Sequence, residues 1–170
     1  MVRRVSKIRI EGEIAYVELT RGYETIIDKE DVPLLADKKC RVIIQKRTNY
    51  AMYSYKDESG KHRSVGVHRF LMNVGTNLVV DHINGNGLDN RRCNLRIATR
   101  SQNYHNSGKR IHNTSGYKGV YWDSKRCVWC AAITKDNKRK YLGHFNSAEE
   151  AHEAYCEAGR RLHGEFFNGG

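Results

Sequence analysis

Acidic residues are scarce in this chain. Its 19 Asp and Glu stand against 30 Lys and Arg in 170 residues, a net charge of +11, with a sequence pI near 9.6. That imbalance favours a polyanionic partner, because each phosphate neutralised by a base releases condensed counterions. Long apolar runs are also missing, and none approaches the roughly 20 residues that span a bilayer. A membrane surface would call for a basic amphipathic helix. The best helical segment instead carries Glu149 and Glu150 in its first turn, so no membrane partner is expected. The opening residues, M-V-R-R-V-S-K-I-R-I-E-G, lack the apolar core and cleavage site of a secretory signal. A soluble, intracellular protein is expected. Internal repeats and low-complexity segments are absent as well.

Cysteine is present in an odd number, five, and is widely scattered, which argues for reduced thiols rather than a disulfide framework. Cys127 and Cys130 have the spacing of half a zinc site, but no second pair follows. They also lie in a segment that reads as a strand, where residues three apart face opposite ways. No structural zinc is expected.

The 39% of hydrophobic residues supports a modest core, so small, separately packed units are expected. Residues 1–66 read as a β-rich platform. Lys7–Ile10 and Ile14–Leu19 alternate around a turn at Glu11-Gly12-Glu13, and Cys40–Gln45 and Tyr50–Tyr55 follow. A short helix is expected near Pro33, Leu34 and Leu35. Residues 67–108 run as strand, turn-rich loop and helix. Leu78–His82 is the strand, Asn84–Gly87 is dense in turn residues, and Thr99 with Gln102 matches a capping box for a helix from Arg100 to Ser107. Residues 109–116 read as a basic, polar linker. Residues 117–168 read as three strands, with a turn at Asp136-Asn137, and then a helix. Ser147 and Glu150 cap that helix, and Ala148, Ala151, Tyr155, Ala158 and Leu162 share its inner face. Gly164 ends it. The class is therefore α+β.

The middle stretch carries the chemistry. Asp81 and His82 adjoin at a strand end, Asn94 follows in the loop, and Asn103 lies in the first full turn of the next helix. Carboxylate and amide oxygens are hard ligands that suit one divalent ion, Mg2+ or Mn2+. His82, beside that ion, is placed to take a proton from an attacking water. The metal would stabilise charge on a phosphate and on the departing sugar oxygen.

Val79-Val-Asp-His-Ile-Asn-Gly-Asn86, Asp89-Asn90, Asn94-Leu-Arg96 and Asn103 resemble the HNH motif of phage and intron-encoded homing endonucleases. The resemblance runs from about Val67 to Asn106. It implies a ββα-metal fold with Asp81 and Asn103 as metal ligands, His82 as general base and Asn94 holding the His82 ring. His68-Arg69 matches an upstream V-H-R element. His68 is counted with the catalytic residues, either as a phosphate contact or as a core histidine. Family members carry His or Asn at the last position. Asn103 fits by register, and His105, about 200° round the helix from it, fits less well. The two zinc-binding cysteine pairs of many HNH nucleases are missing.

From Gly116 to Asn168, Tyr117-Lys-Gly-Val120, Trp129-Cys-Ala-Ala-Ile133, Arg139–Phe145 and Ala148–Tyr155 resemble the ethylene-response-factor (Apetala-two) DNA-binding domain. The resemblance implies a three-stranded antiparallel sheet in the major groove with one helix packed behind it. Trp129, Ala131 and Ile133 alternate toward the helix, leaving Cys130, Ala132 and Thr134 on the other face. Between Lys109 and Phe145 nine bases, Arg110 among them, face two acids, as expected of a DNA reader. Lys118, Tyr121, Arg139 and Tyr141 occupy family contact positions, and Lys125 and Arg126 are counted with them. Ala132 and Thr134 stand where plant members carry charged base-reading residues, so the target sequence does not carry over. Trp122 and Trp129 read as core.

The function expected is a metal-dependent DNA endonuclease, a site-specific homing enzyme or nickase in a bacterial or phage-infected cytoplasm. Its partner is double-stranded DNA, and a monomer is favoured. The alternative is a non-cutting DNA-binding regulator with a vestigial HNH motif. An RNA-binding protein fits less well, since its stacking-aromatic signatures are missing.

Overall fold

The computed structural model describes residues 5–109, 112–136 and 138–170. Residues 1–4 of the platform, Arg110 of the linker and Asn137 of the expected turn lie outside them. The chain divides into two compact units, one up to Thr99 and one from Arg100 to Gly170. The class is α+β, built from small antiparallel sheets and a long C-terminal helix. No helix among the described residues is long and apolar enough to cross a membrane.

The first unit opens with β1 (Ile8–Glu11), β2 (Ile14–Glu18) and β3 (Glu24–Asp28), paired in that order. A single helical turn, α1 (Val32–Leu35), carries Pro33 at its start, where the missing N–H costs nothing. A second sheet follows, β4 (Cys40–Ile43), β5 (Tyr50–Lys56) and β6 (His62–Gly66). Alternation decides which face is buried. Cys40, Val42, Ala51 and Tyr53 join Ala15, Val17, Ile27 and Leu35 in one core, while Arg41, Met52 and Ser54 are left on the other face. Each large aliphatic side chain removed from water in this way contributes about 1.5–3 kcal/mol.

Helix α2 (Val67–Met72) stops at Asn73, whose φ of 46° is left-handed. The Arg69 guanidinium holds the turn beyond it, donating to the carbonyls of Val74, Gly75 and Leu78 at 2.8–3.0 Å. The chain then enters β7 (Val79–His82), which pairs antiparallel with β8 (Leu95–Ala98).

The second unit starts with α3 (Arg100–Asn106). Strands β9 (Val120–Asp123), β10 (Val128–Lys135) and β11 (Lys138–Phe145) form a sheet with β10 in the centre. Helix α4 (Ala148–His163) packs on it. Ser147 Oγ accepts from the Glu150 N–H at 3.1 Å, and the Glu150 carboxylate accepts from the Asn146 N–H at 3.3 Å, one residue further back than the expected capping box. Ala148, Ala151, Tyr155 and Ala158 are buried with Leu162 packed beside them, the face that the spacing predicts. Gly119, at φ 80°, lies so close to the Tyr155 ring that any β-carbon would strike it. The chain leaves α4 at Gly164, with a φ of 54°.

Lys118 ties this unit's start to its end. Its ammonium donates to the carbonyls of His105 (2.9 Å), Ser107 (2.6 Å) and Asn168 (2.6 Å). Two of these belong to the end of α3, where cations are favoured by the helix dipole. Asn168 adds a bond from Nδ2 to Asn106 O at 2.9 Å.

Candidate functional site

In β7 and β8, Asp81 stands opposite Arg96, and His82 opposite Leu95. Asp81 is 4% exposed and Arg96 Nε donates to its Oδ2 at 2.8 Å. A buried carboxylate needs such a partner, because unpaired ionic burial costs several kcal/mol, roughly. His82 is buried as well. Its ring packs edge-on against that of His68 with centroids 5.0 Å apart, and Tyr50 lies 5.8 Å from His68 and 5.9 Å from His82. Three strand- and helix-borne rings thus meet beside one carboxylate.

Burial lowers the pKa of His82, against opposing effects from its bond to Asn90 and from Asp81 and Asp89. Burial likewise takes His68 down to about 4, helped by the charges of His82 and Arg69. Both imidazoles are therefore neutral near pH 7. Tyr50 is pushed up by burial first and by Asp81 second, so its phenol keeps its proton. The His68 Nδ1 atom is buried with no hydrogen-bond partner among the described residues, and the ring sits against the bare α-carbon of Gly66, where a β-carbon would come within 2.5 Å. That packing places His68 as part of the site's wall.

A chain of hydrogen bonds settles which nitrogen of His82 carries the proton. Thr25 Oγ1 donates to Leu88 O at 2.8 Å, so it must accept from Asn90 Nδ2, 2.6 Å away. The Asn90 amide is thereby oriented with Oδ1 toward His82 Nε2, at 3.1 Å. Nε2 then carries the hydrogen, and Nδ1 keeps the lone pair. Asn90 and Thr25 are both fully buried.

This revises the role expected for Asn94. Its Nδ2 donates to Asp89 O at 2.8 Å and its Oδ1 accepts from Asn84 N at 3.0 Å. Asn94 braces the loop that follows His82, and Asn90 is the amide bonded to the ring. The same loop is tied to the platform, with Asn90 N on Ile26 O, Ile26 N on Leu88 O, and Gly87 N on Thr48 Oγ1. Within it, Asp89 accepts from Arg91 at 2.6 and 2.8 Å, which holds the Asp89 carboxyl below its usual range.

Thr25 was missed because β3 itself was missed. Its signal was the β-branched run Thr25-Ile-Ile27 between acids. Asn103 lies on α3, which groups with the second unit. On the same helix His105 stacks on His163 with centroids 3.5 Å apart.

The second unit carries the other set. Tyr121 pairs with Cys130, Tyr141 with Ala132, and Arg139 with Thr134, which puts all six on the face away from α4. Tyr121 and Tyr141 are exposed, and the Arg139 guanidinium lies over the Tyr121 ring at 4.8 Å. Lys125 and Arg126 are exposed in the β9–β10 turn, where Asp123 Oδ1 accepts from both of their backbone N–H groups. Lys118 donates to three carbonyls of its own unit. Cys130, on the outer face as the alternation predicts, is buried beneath Tyr141, whose Oη is 3.8 Å from Sγ. Trp122, expected in the core, is 47% exposed, because its partner across the strands, Trp129, takes the place next to the core.

Comparison with known proteins gives two family matches in chain order: an HNH endonuclease domain over residues 65–105 and an AP2 domain over residues 115–165. The chain is also similar to Protein 3.8 of Escherichia phage T7, with 34% identity over 87 residues, covering 51% of this chain and 71% of the phage protein. No solved structure matches it.

Proposed function

The chain belongs to the family of phage T7 Protein 3.8 and carries an HNH endonuclease domain followed by an AP2 domain, and from that premise we propose that it hydrolyses phosphodiester bonds of double-stranded DNA at sites chosen by the AP2 sheet, as a homing-type endonuclease. The observation that carries this reading is the buried His82 ring, with its neutral form favoured and its orientation fixed next to a buried carboxylate. A group built so is a base poised at neutral pH.

Nuclease chemistry of this class uses a divalent ion. Asp81 would offer such an ion a hard carboxylate oxygen, one that here accepts from Arg96. Asp81 would hold the ion, with Asn103 as the second ligand that the HNH resemblance implies. When bound, the ion supplies charge stabilisation to the phosphate and the departing sugar oxygen. The protein's own part is to hold the neutral His82 ring beside Asp81, where it would receive a proton from water. The relay through Asn90 and Thr25 keeps Nε2–H engaged, so that the ring can pass on no other proton as it accepts one. His68 and Tyr50 wall the ring on its other sides and limit its access to bulk water. In the AP2 sheet, Arg139, Tyr121 and Tyr141 are the proposed DNA contacts, with Lys125 and Arg126 at phosphates, which position without specifying.

The test is incubation of the purified chain with supercoiled plasmid and Mg2+ or Mn2+. Nicked or linear product that disappears with EDTA is expected, and its ends, once sequenced, should share a common site. Tight DNA binding without any strand break across both metals would overturn the nuclease reading.

A further inference from the structure

The platform's two sheets differ sharply in charge. From Val5 to Asp37, around β1–β3, eight acids outnumber four bases; from Lys38 to Gly66, around β4–β6, eight bases outnumber two acids. The second sheet also has an uncovered face. Tyr50, Met52, Ser54 and Lys56 alternate with the core-facing Ala51 and Tyr53, and the register brings Arg41 and Gly66 beside Met52, Ser64 beside Ser54, and His62 beside Lys56. This face holds the catalytic rings at one end: Tyr50 touches both His68 and His82, and His68 lies over Gly66. Away from the rings it carries Arg41, bonded through a terminal nitrogen to Ser64 Oγ at 3.0 Å, then Ser54 and Ser64, then Lys56 and His62. Lys46 and Arg47 are exposed in the hairpin loop at the other side of Tyr50. Among the described residues no carboxylate pairs with Arg41, Lys46, Arg47 or Lys56.

We propose that the outer face of the β4–β5–β6 sheet is a second DNA-contact surface, which grips the phosphate backbone of the same duplex whose scissile phosphate lies at His82. The proposal rests on the nuclease reading for the identity of the duplex. Its geometry comes from the sheet. Tyr50 to Lys56 covers about 20 Å of strand at about 3.3 Å per residue, the axial length of about six nucleotides at 3.4 Å each along one DNA strand. Lys46 and Arg47 reach the backbone on the near side of the cut, and Arg41 and Lys56 on the far side, with the serine hydroxyls as phosphate donors between them. The acidic β1–β3 sheet makes no such contact, so the platform has a DNA side and a solvent side.

The experiment measures binding of the full chain to a 40-base-pair duplex (roughly four helical turns) in EDTA, as a function of salt, so that no cleavage intervenes. The variant Lys46→Gln/Arg47→Gln/Lys56→Gln changes only exposed side chains. A salt slope shallower by about 2–3, at about 0.9 per phosphate contact, and an affinity loss of tenfold or more at 0.1 M salt are expected. A matched control, Lys7→Gln/Arg9→Gln/Lys29→Gln, removes the same charge from the acidic sheet and should leave the slope unchanged. An unaltered slope in the first variant overturns the proposal while leaving the nuclease reading intact. Equal effects in both variants also overturn it, since net charge rather than this face would then be responsible. A wild-type chain with no affinity for the duplex would overturn the DNA-cutting reading itself and this proposal with it.

Discussion

The two units place their functional side chains in opposite environments. In the first, Asp81, His82, Asn90 and Asn94 are all buried, and hydrogen bonds connect their surroundings to β3 and to the β4–β5 loop. In the second, Tyr121 and Tyr141 are exposed, and Arg139 lies over one of them on an open sheet face. On the proposed function the difference follows from what each unit would do. A general base needs a fixed tautomer and a neutral ring, which a closed bond network and burial supply. A reading face must meet a partner of many conformations, which calls for exposed, amphipathic side chains over a rigid backing. Here the backing is the alanine face of α4. Precision is bought in one unit by burial; in the other it comes from the sheet.

The comparison can be broken most sharply at the base. His82→Ala should reduce cleavage by at least about 100-fold, the lower end of what a positioned general base contributes, while duplex affinity in EDTA stays within twofold of wild type. A parallel collapse of affinity would move His82 from chemistry to binding. The relay gives a subtler test. Thr25→Val removes the hydroxyl that orients Asn90, and an effect of about tenfold on the single-turnover cleavage rate is expected, with affinity unchanged, since one buried hydrogen bond is worth about 1–1.5 kcal/mol. Thr25→Ser should restore the rate. A rate that does not distinguish Val from Ser would show that the tautomer is set without Thr25.

Acid should distinguish the units as well. His68 has a folded pKa of about 4, below its ordinary 6.5. The unfolded chain therefore binds the proton more tightly, and the stability this confers is whole above pH 6.5 and is lost as the pH falls toward 4. Between pH 7 and pH 5 the first unit should lose about 2 kcal/mol through this group alone, seen as a lower denaturant midpoint. His68→Gln should flatten that dependence. An identical slope in the variant would remove His68 as its source. The smallest effect is expected on the exposed face: Arg139→Ala should weaken DNA binding several-fold and lower the salt slope by about one, with no change in stability. An unchanged slope would take Arg139 off the contact surface.

Much of this organisation could be read from the residues themselves. The alternation of Trp129, Ala131 and Ile133 and the spacing of Ala148, Ala151, Tyr155 and Ala158 placed β10 and α4 correctly, because each element has one face in a core and its pattern repeats. The HNH residues were legible because their types are unusual for a strand end. Strands β3 and β6 escaped notice for a physical reason: β3 is flanked by acids, and β6 (His62-Arg-Ser-Val-Gly66) is exposed over most of its length, so neither has a clean apolar period. The Asn90 contact was hidden too, since its partner Thr25 lies 65 residues away. Lys118 reads as a contact from its position in the AP2 resemblance alone. Only its three carbonyl partners, two near the end of α3 and one in the C-terminal tail, give it a structural place.

The side-chain amide of Asn168 bonds directly to the end of α3, and its carbonyl is tied to the same place through the Lys118 ammonium. Any change that displaces Asn168 would loosen the clasp and be felt at the helix that bears Asn103, 65 residues earlier in the chain.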